Sequence, residues 1–149
     1  MCTIAFELPV DQLRNDEPAM REFADLQGEI SGEDRETIRE SMLSEGQLNG
    51  DRYPTIAFAS TACQGEEGTD ARLTVQGGLT IRGVTKDISL SVNFQLQDGR
   101  LYAQGSIEAL HQDFGFEPYT AFFGAVKNAP RIKMGFDVVG VEPSSRTSL

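Results

Sequence analysis

Tryptophan is absent from this chain of 149 residues, histidine occurs once, and cysteine twice. Two cysteines are too few for a disulfide framework or a zinc cluster. The single His111 supplies neither a metal set nor a Ser-His-Asp arrangement. Basic residues are scarce: 13 Lys+Arg against 23 Asp+Glu leave a formal net charge of −10. A negative surface disfavours non-specific binding to nucleic acid or to anionic membranes. No apolar run approaches the length that crosses a bilayer. The opening residues, Met1-Cys2-Thr3-Ile4-Ala5-Phe6-Glu7-Leu8, lack the basic start and long apolar stretch of a signal peptide. They read instead as a strand already under way.

What is present is period-two alternation. Hydrophobic residues make up 39% and charged residues 24%, enough apolar material for one folded domain. The domain is expected over 1–142, with a polar tail over 143–149. Leu73, Val75, Leu79 and Ile81 share a face, opposite Thr74, Gln76 and Thr80. Ile88, Leu90, Val92, Phe94 and Leu96 share the next, opposite Ser89, Ser91, Asn93 and Gln95. After the turn pair Asp98-Gly99, Leu101, Ala103, Ile107 and Ala109 alternate with Tyr102, Gln104, Ser106 and Glu108. Ile132, Met134, Phe136 and Val138 repeat the pattern near the end. Such runs predict antiparallel strands with one apolar and one polar face. The N-terminal third adds a strand at Ile4, Phe6 and Leu8 and another over 53–63 carrying Ile56 and Phe58. Between them, 34–48 reads as helical through Ile38 and Met42, and Met20, Phe23 and Leu26 suggest a second short helix. About six strands joined by turns predict an all-β barrel or sandwich with a helical insertion.

Several short motifs have bland readings. Asp113-Phe114-Gly115 spells the kinase metal-binding triplet, but no glycine-rich loop, strand lysine or catalytic loop accompanies it. His111 reads as a partly exposed residue at a strand end. Gly77-Gly78, inside a strand, marks a bulge or a tight barrel bend, and Gly83-Val84-Thr85-Lys86 marks a hairpin. Glu66, Glu67 and Asp70 lack the spacing of a calcium loop and read as solvated. Phe114, Phe116, Tyr119, Phe122 and Phe123 crowd into ten residues with Gly115, Gly124 and Pro118. They form either a plug closing one barrel end or an aromatic lip over an apolar ligand. Cys2 shares the phase of Ile4 and Phe6, whereas Cys63 has the phase opposite to Ile56 and Phe58. Two free thiols are therefore expected in the absence of a bulge.

Four stretches resemble the YceI family. They are Asp51-Arg52-Tyr53-Pro54-Thr55-Ile56-Ala57-Phe58-Ala59-Ser60-Thr61, then Gly78-Leu79-Thr80-Ile81-Arg82-Gly83-Val84-Thr85-Lys86, then Gln112-Asp113-Phe114-Gly115-Phe116, and the final strand over 131–141. The resemblance implies a lipocalin-like antiparallel β-barrel of eight strands that holds a polyisoprenoid or quinone-like lipid in its lumen. It carries over no catalytic residue, cofactor or metal ligand. The ligand-lining residues implied are Phe6, Phe58, Leu73, Val75, Leu90, Val92, Phe94 and Ile107, with Phe114, Phe116, Tyr119, Phe122, Met134 and Phe136. Relatives begin with two further strands, so this chain reads as shortened, with two open barrel edges and a possible homodimer through them. The expected location is periplasmic if a missing N-terminus carries a signal, and cytoplasmic for the chain as given. A small enzyme with an unrecognised site, and a structural or stress-related barrel with a filled core, are the alternatives.

Overall fold

The computed structural model describes residues 3–65 and 70–141. Among these residues, eight strands form two sheets. The main sheet contains β1 (Ala5–Pro9), β2 (Thr55–Gly65), β3 (Asp70–Ile81), β4 (Val84–Gln97), β5 (Arg100–Leu110) and β8 (Arg131–Val141). Its order is β1-β2-β3-β4-β5-β8, antiparallel throughout, a curled meander with β1 and β8 at its edges. A two-stranded ribbon, β6 (Thr120–Ala121) with β7 (Val126–Lys127), stands apart from it.

Local chemistry fixes the register. The β3–β4 turn places Arg82 and Gly83 at φ 54 and 74, and the β4–β5 turn places Asp98 and Gly99 at φ 51 and 71. Two left-handed residues in succession match the right-handed twist of flanking strands. The pairs Val75↔Leu90 and Leu73↔Val92 then bring the apolar alternation of both strands to one face. Leu90, Val92 and Ile107 are buried while Ser91 and Asn93 are exposed, as the alternation predicts. Gly77 sits where β2 approaches closely: a Cβ there would lie 2.6 Å from Phe58 Cζ and 2.8 Å from Ser60 Cα.

Directly opposite Gly77, the β2 register shifts between Ser60 and Ala62. This bulge reverses the side-chain phase of the rest of the strand. Cys63 consequently pairs with Val75 and packs against the core rather than on the outer face. It is disulfide-bonded, which corrects the expectation of two free thiols. Cys2, Glu66 and Glu67 lie outside the described residues.

The insertion between β1 and β2 carries α1 (Pro18–Phe23) and α2 (Gly32–Leu43). Both are shorter than the sequence pattern suggests. Helix α2 is capped by Ser31, whose Oγ accepts from Asp34 N at 3.1 Å and donates to Asp34 Oδ2 at 2.8 Å. The insertion is tied down by side-chain donors to backbone oxygens. Arg39 donates to the carbonyls of Leu13 and Asp11, and Asn15 Nδ2 to that of Arg35 at 3.0 Å. Leu48, Met42 and Leu43 then reach the core cluster.

Candidate functional site

The concave face of the sheet divides into two halves. Toward the Arg82-Gly83 turn it is filled. Ile56, Phe58, Val75, Leu79, Ile81, Val10 and Leu48 are buried together, and Phe6 stacks on Phe58 at 5.5 Å between centroids. A single 3₁₀ turn after β5, His111–Phe114, drops Phe114 into this half, with Phe116 beside it. Gly115, at φ 78, takes the left-handed conformation that ends the turn.

The three internal stretches that carry the YceI resemblance meet at this end. The Tyr53 ring lies 3.0 Å from where a Gly83 Cβ would stand. The Arg82 guanidinium sits 5.5 Å over the Phe116 ring, and its Nη2 donates to the Glu45 carbonyl at 3.0 Å. His111 was expected to be partly exposed but is buried at 8% exposure. Its Nδ1–H donates to the Pro130 carbonyl at 2.7 Å and its ring meets Phe116 edge-on at 5.1 Å. It joins the end of β5 to the start of β8, so its role is to hold the plug. Its signal in the sequence was position: it follows the last residue of an alternating strand.

Toward the Asp98-Gly99 turn the same face is apolar but only partly covered. Leu73, Phe94, Ala103, Met134 and Phe136 are half-buried, while Leu96, Leu101 and Val138 are 45%, 42% and 53% exposed. The pairs Phe94↔Ala103, Leu96↔Leu101 and Ala103↔Val138 place these residues side by side across three strands. Gly105 keeps the backbone low beneath Phe136, whose Cζ would lie 2.5 Å from a Cβ. Leu96 and Leu101 share the inward phase yet are exposed, because the sheet extends here beyond the described residues that cover its other half.

The candidate lining residues therefore separate into three groups. Phe58, Val75, Leu90, Val92, Ile107, Phe114 and Phe116 are packed core. Phe6 is packed against that core, and Leu73, Phe94, Met134 and Phe136 edge the open half. Tyr119 and Phe122 are 40% and 78% exposed and lie outside the packed core. The crowded aromatics are a plug in their first half only. Ala103, Leu96, Leu101 and Val138 join Leu73, Phe94, Met134 and Phe136 on the open half, on the face that their alternation phase predicts.

Chemically, the open half offers aliphatic and aromatic contact without a nucleophile or an acid/base pair among the residues named. Among the described residues, no group of three or more His, Cys, Asp or Glu side chains is placed to hold a metal. No helix among them is long and apolar enough to cross a membrane. A depression on the insertion, lined by Arg14, Arg35 and Arg39 with Glu17 and Glu36, is too charged to suit an apolar chain.

The sequence matches the model of the YceI-like domain over residues 5–139. The structure is similar to that of BcnA from Burkholderia cenocepacia, with a TM-score of 0.61 at 17% identity, covering 71% of this chain and 65% of BcnA. It is also similar to a Campylobacter jejuni YCEI protein, with a TM-score of 0.67 at 14% identity, covering 95% of this chain and 73% of that one. The chain thus spans less than two thirds of BcnA. Likeness at such identity establishes the fold, a lipocalin-like curled antiparallel sheet. No curated protein matches the sequence.

Proposed function

We propose, on the premise that this chain belongs to the YceI-like family, that it binds and carries a long apolar lipid of the isoprenoid or quinone-tail kind on its concave face, without catalysis. The observation that supports this reading is the unequal filling of that face. A sheet serving only as a packed scaffold gains by covering all of its apolar side. Here Phe94, Met134 and Phe136 stay half-covered, and Leu96, Leu101 and Val138 stay exposed. Exposed apolar surface costs about 25 cal/mol per Å², and each buried CH₂ of a prenyl chain recovers about 0.8 kcal/mol. Affinity then scales with chain length and needs few polar contacts.

The filled half favours a second reading, a structural barrel with no ligand, and the two differ in what the purified chain carries. Organic extraction followed by mass analysis should release an apolar lipid from the wild type. Phe94→Asp should abolish its retention, because Phe94 lies outside the packed half and a carboxylate there repels an apolar chain. Phe58→Asp is the poorer test, since burying a charge among packed side chains would unfold the sheet. Unchanged retention in a folded Phe94→Asp chain would overturn the proposal. The edges of β1 and β8, unpaired among the described residues, are the places where a second copy would pair backbone to backbone.

A further inference from the structure

The ribbon β6–β7 carries the most exposed aromatic pair among the described residues: Phe122 is 78% exposed and Phe123 fully so. Both occupy the left-handed region, at φ 52 and 54, with Gly124 following at φ 86. Phenylalanine pays for that conformation in steric strain. Here the strain is spent holding two large apolar rings out into water, with Tyr119 at 40% and Val126 at 53% exposure beside them.

The base of the ribbon is fixed. Asn128 N donates to the Tyr119 carbonyl at 2.9 Å, and both Nδ1 and the backbone N of His111 donate to the Pro130 carbonyl. The exposed pair is therefore presented on a short, tied hairpin.

The charge around it runs against that of the chain. Residues 118–136 contain no Asp or Glu but include Lys127, Arg131 and Lys133, in a protein of net charge −10. Glu108 accepts from Arg131 at 3.0 Å and approaches Lys133 at 3.8 Å, so Lys127 is the cation that the ribbon itself carries. Glu117 and Asp137 flank this stretch in the sequence. Screening at physiological salt acts over about 8 Å, so at contact the charges nearest the tip weigh more than the net charge of the chain.

We propose that the β6–β7 tip is a membrane-docking loop, which inserts Phe122 and Phe123 into the interfacial region of an anionic lipid bilayer while Lys127, on the same ribbon, meets the headgroups. Amphipathic anchoring of this kind combines apolar burial with attraction to anionic lipid. The inference rests on the exposed ribbon and not on the concave face, so it stands or falls separately from lipid carriage. A chain that purifies without lipid yet binds vesicles supports docking while defeating carriage, and the reverse result does the opposite.

The test is co-sedimentation of the full chain with vesicles of phosphatidylcholine containing a minor share of phosphatidylglycerol. The wild type should sediment with them. The double variant Phe122→Ser/Phe123→Ser should bind at least tenfold more weakly, and Lys127→Glu should lose several-fold, an effect that raised salt should erase. Both substitutions fall on exposed side chains, and circular dichroism verifies the fold. Failure of the wild type to bind, or equal binding by the double variant, overturns the proposal. Loss of self-association in the double variant without any vesicle binding also overturns it and assigns the patch to a second copy.

Discussion

Gly77 and Gly78 are adjacent, lie in one strand and avoid the left-handed region, so alanine is conformationally allowed at both. On backbone entropy alone each substitution would gain about 0.5–1 kcal/mol. The structure separates them. At Gly78 the new methyl meets only Thr85 Cγ2, at 3.0 Å, on an exposed side chain that can yield by giving up its hydroxyl's 2.7 Å bond to Thr80 Oγ1. At Gly77 it collides with the Ala59 carbonyl on the neighbouring strand and stands 2.6 Å from Phe58 Cζ and 2.8 Å from Ser60 Cα. Two of those three atoms are backbone, so relief requires β2 and β3 to separate at the bulge and the Phe58 ring to leave its packed position. Overpacking of this kind costs about 1–3 kcal/mol, and backbone involvement puts Gly77→Ala near the upper end. At about 3 °C per kcal/mol for a chain of this size, its melting temperature should fall by roughly 7–9 °C. Gly78→Ala should stay within about 1 kcal/mol of the wild type. Adding Phe58→Leu to Gly77→Ala should restore little, because the carbonyl contact remains and a cavity is added. Thermal and urea unfolding of the three variants decide the matter. A Gly77→Ala chain as stable as the wild type, or a Gly78→Ala chain that is the worse of the two, would refute the reasoning.

Ser31→Ala removes the cap of α2 and should cost about 1 kcal/mol, seen as faster amide exchange in the first turn of the helix with the sheet unaffected. His111→Ala should destabilise by about 2 kcal/mol. The imidazole bond and its packing on Phe116 are lost, but Pro130 keeps the backbone N–H of residue 111 as a donor. Iodoacetamide applied to the denatured, unreduced chain should leave Cys63 unmodified until a reductant is added, and labelling without reductant would contradict the disulfide.

Where the sequence spoke through simple alternation it was legible. Ile88 to Phe94 and Met134 to Phe136 take the expected face because one-residue slips would turn an entire strand outward. Leu96 and Leu101 show the limit of that signal: phase says which face a side chain takes, not whether anything covers it. Cys63 was misplaced because one extra residue near Thr61 reverses the count, and nothing in Ala59-Ser60-Thr61-Ala62 announces it. The paired glycines opposite were read as marking a bulge, and the bulge lies on the partner strand. The aromatic cluster was misjudged as a unit. Phe114 and Phe116 follow a strand end directly and fall back onto the sheet. Pro118 then redirects the chain, and the later aromatics are carried outward on a ribbon too short for composition to reveal.

The order of the strands also has a kinetic side. Each strand pairs with its predecessor in the sheet, but the connections are very unequal. Strands β3, β4 and β5 are joined by two-residue turns and can pair at little loop-closure cost. Strand β8 must await the 3₁₀ turn and the ribbon, and β1 must wait for the whole helical insertion to be spanned. Assembly is therefore expected to spread outward from the central hairpins, and pulse-labelled hydrogen exchange should find β3 and β4 amides protected before those of β1. The sheet then grows toward its two edges last, and the pairing sites of β2 and β5 stay open to other chains for as long as the slower closures take.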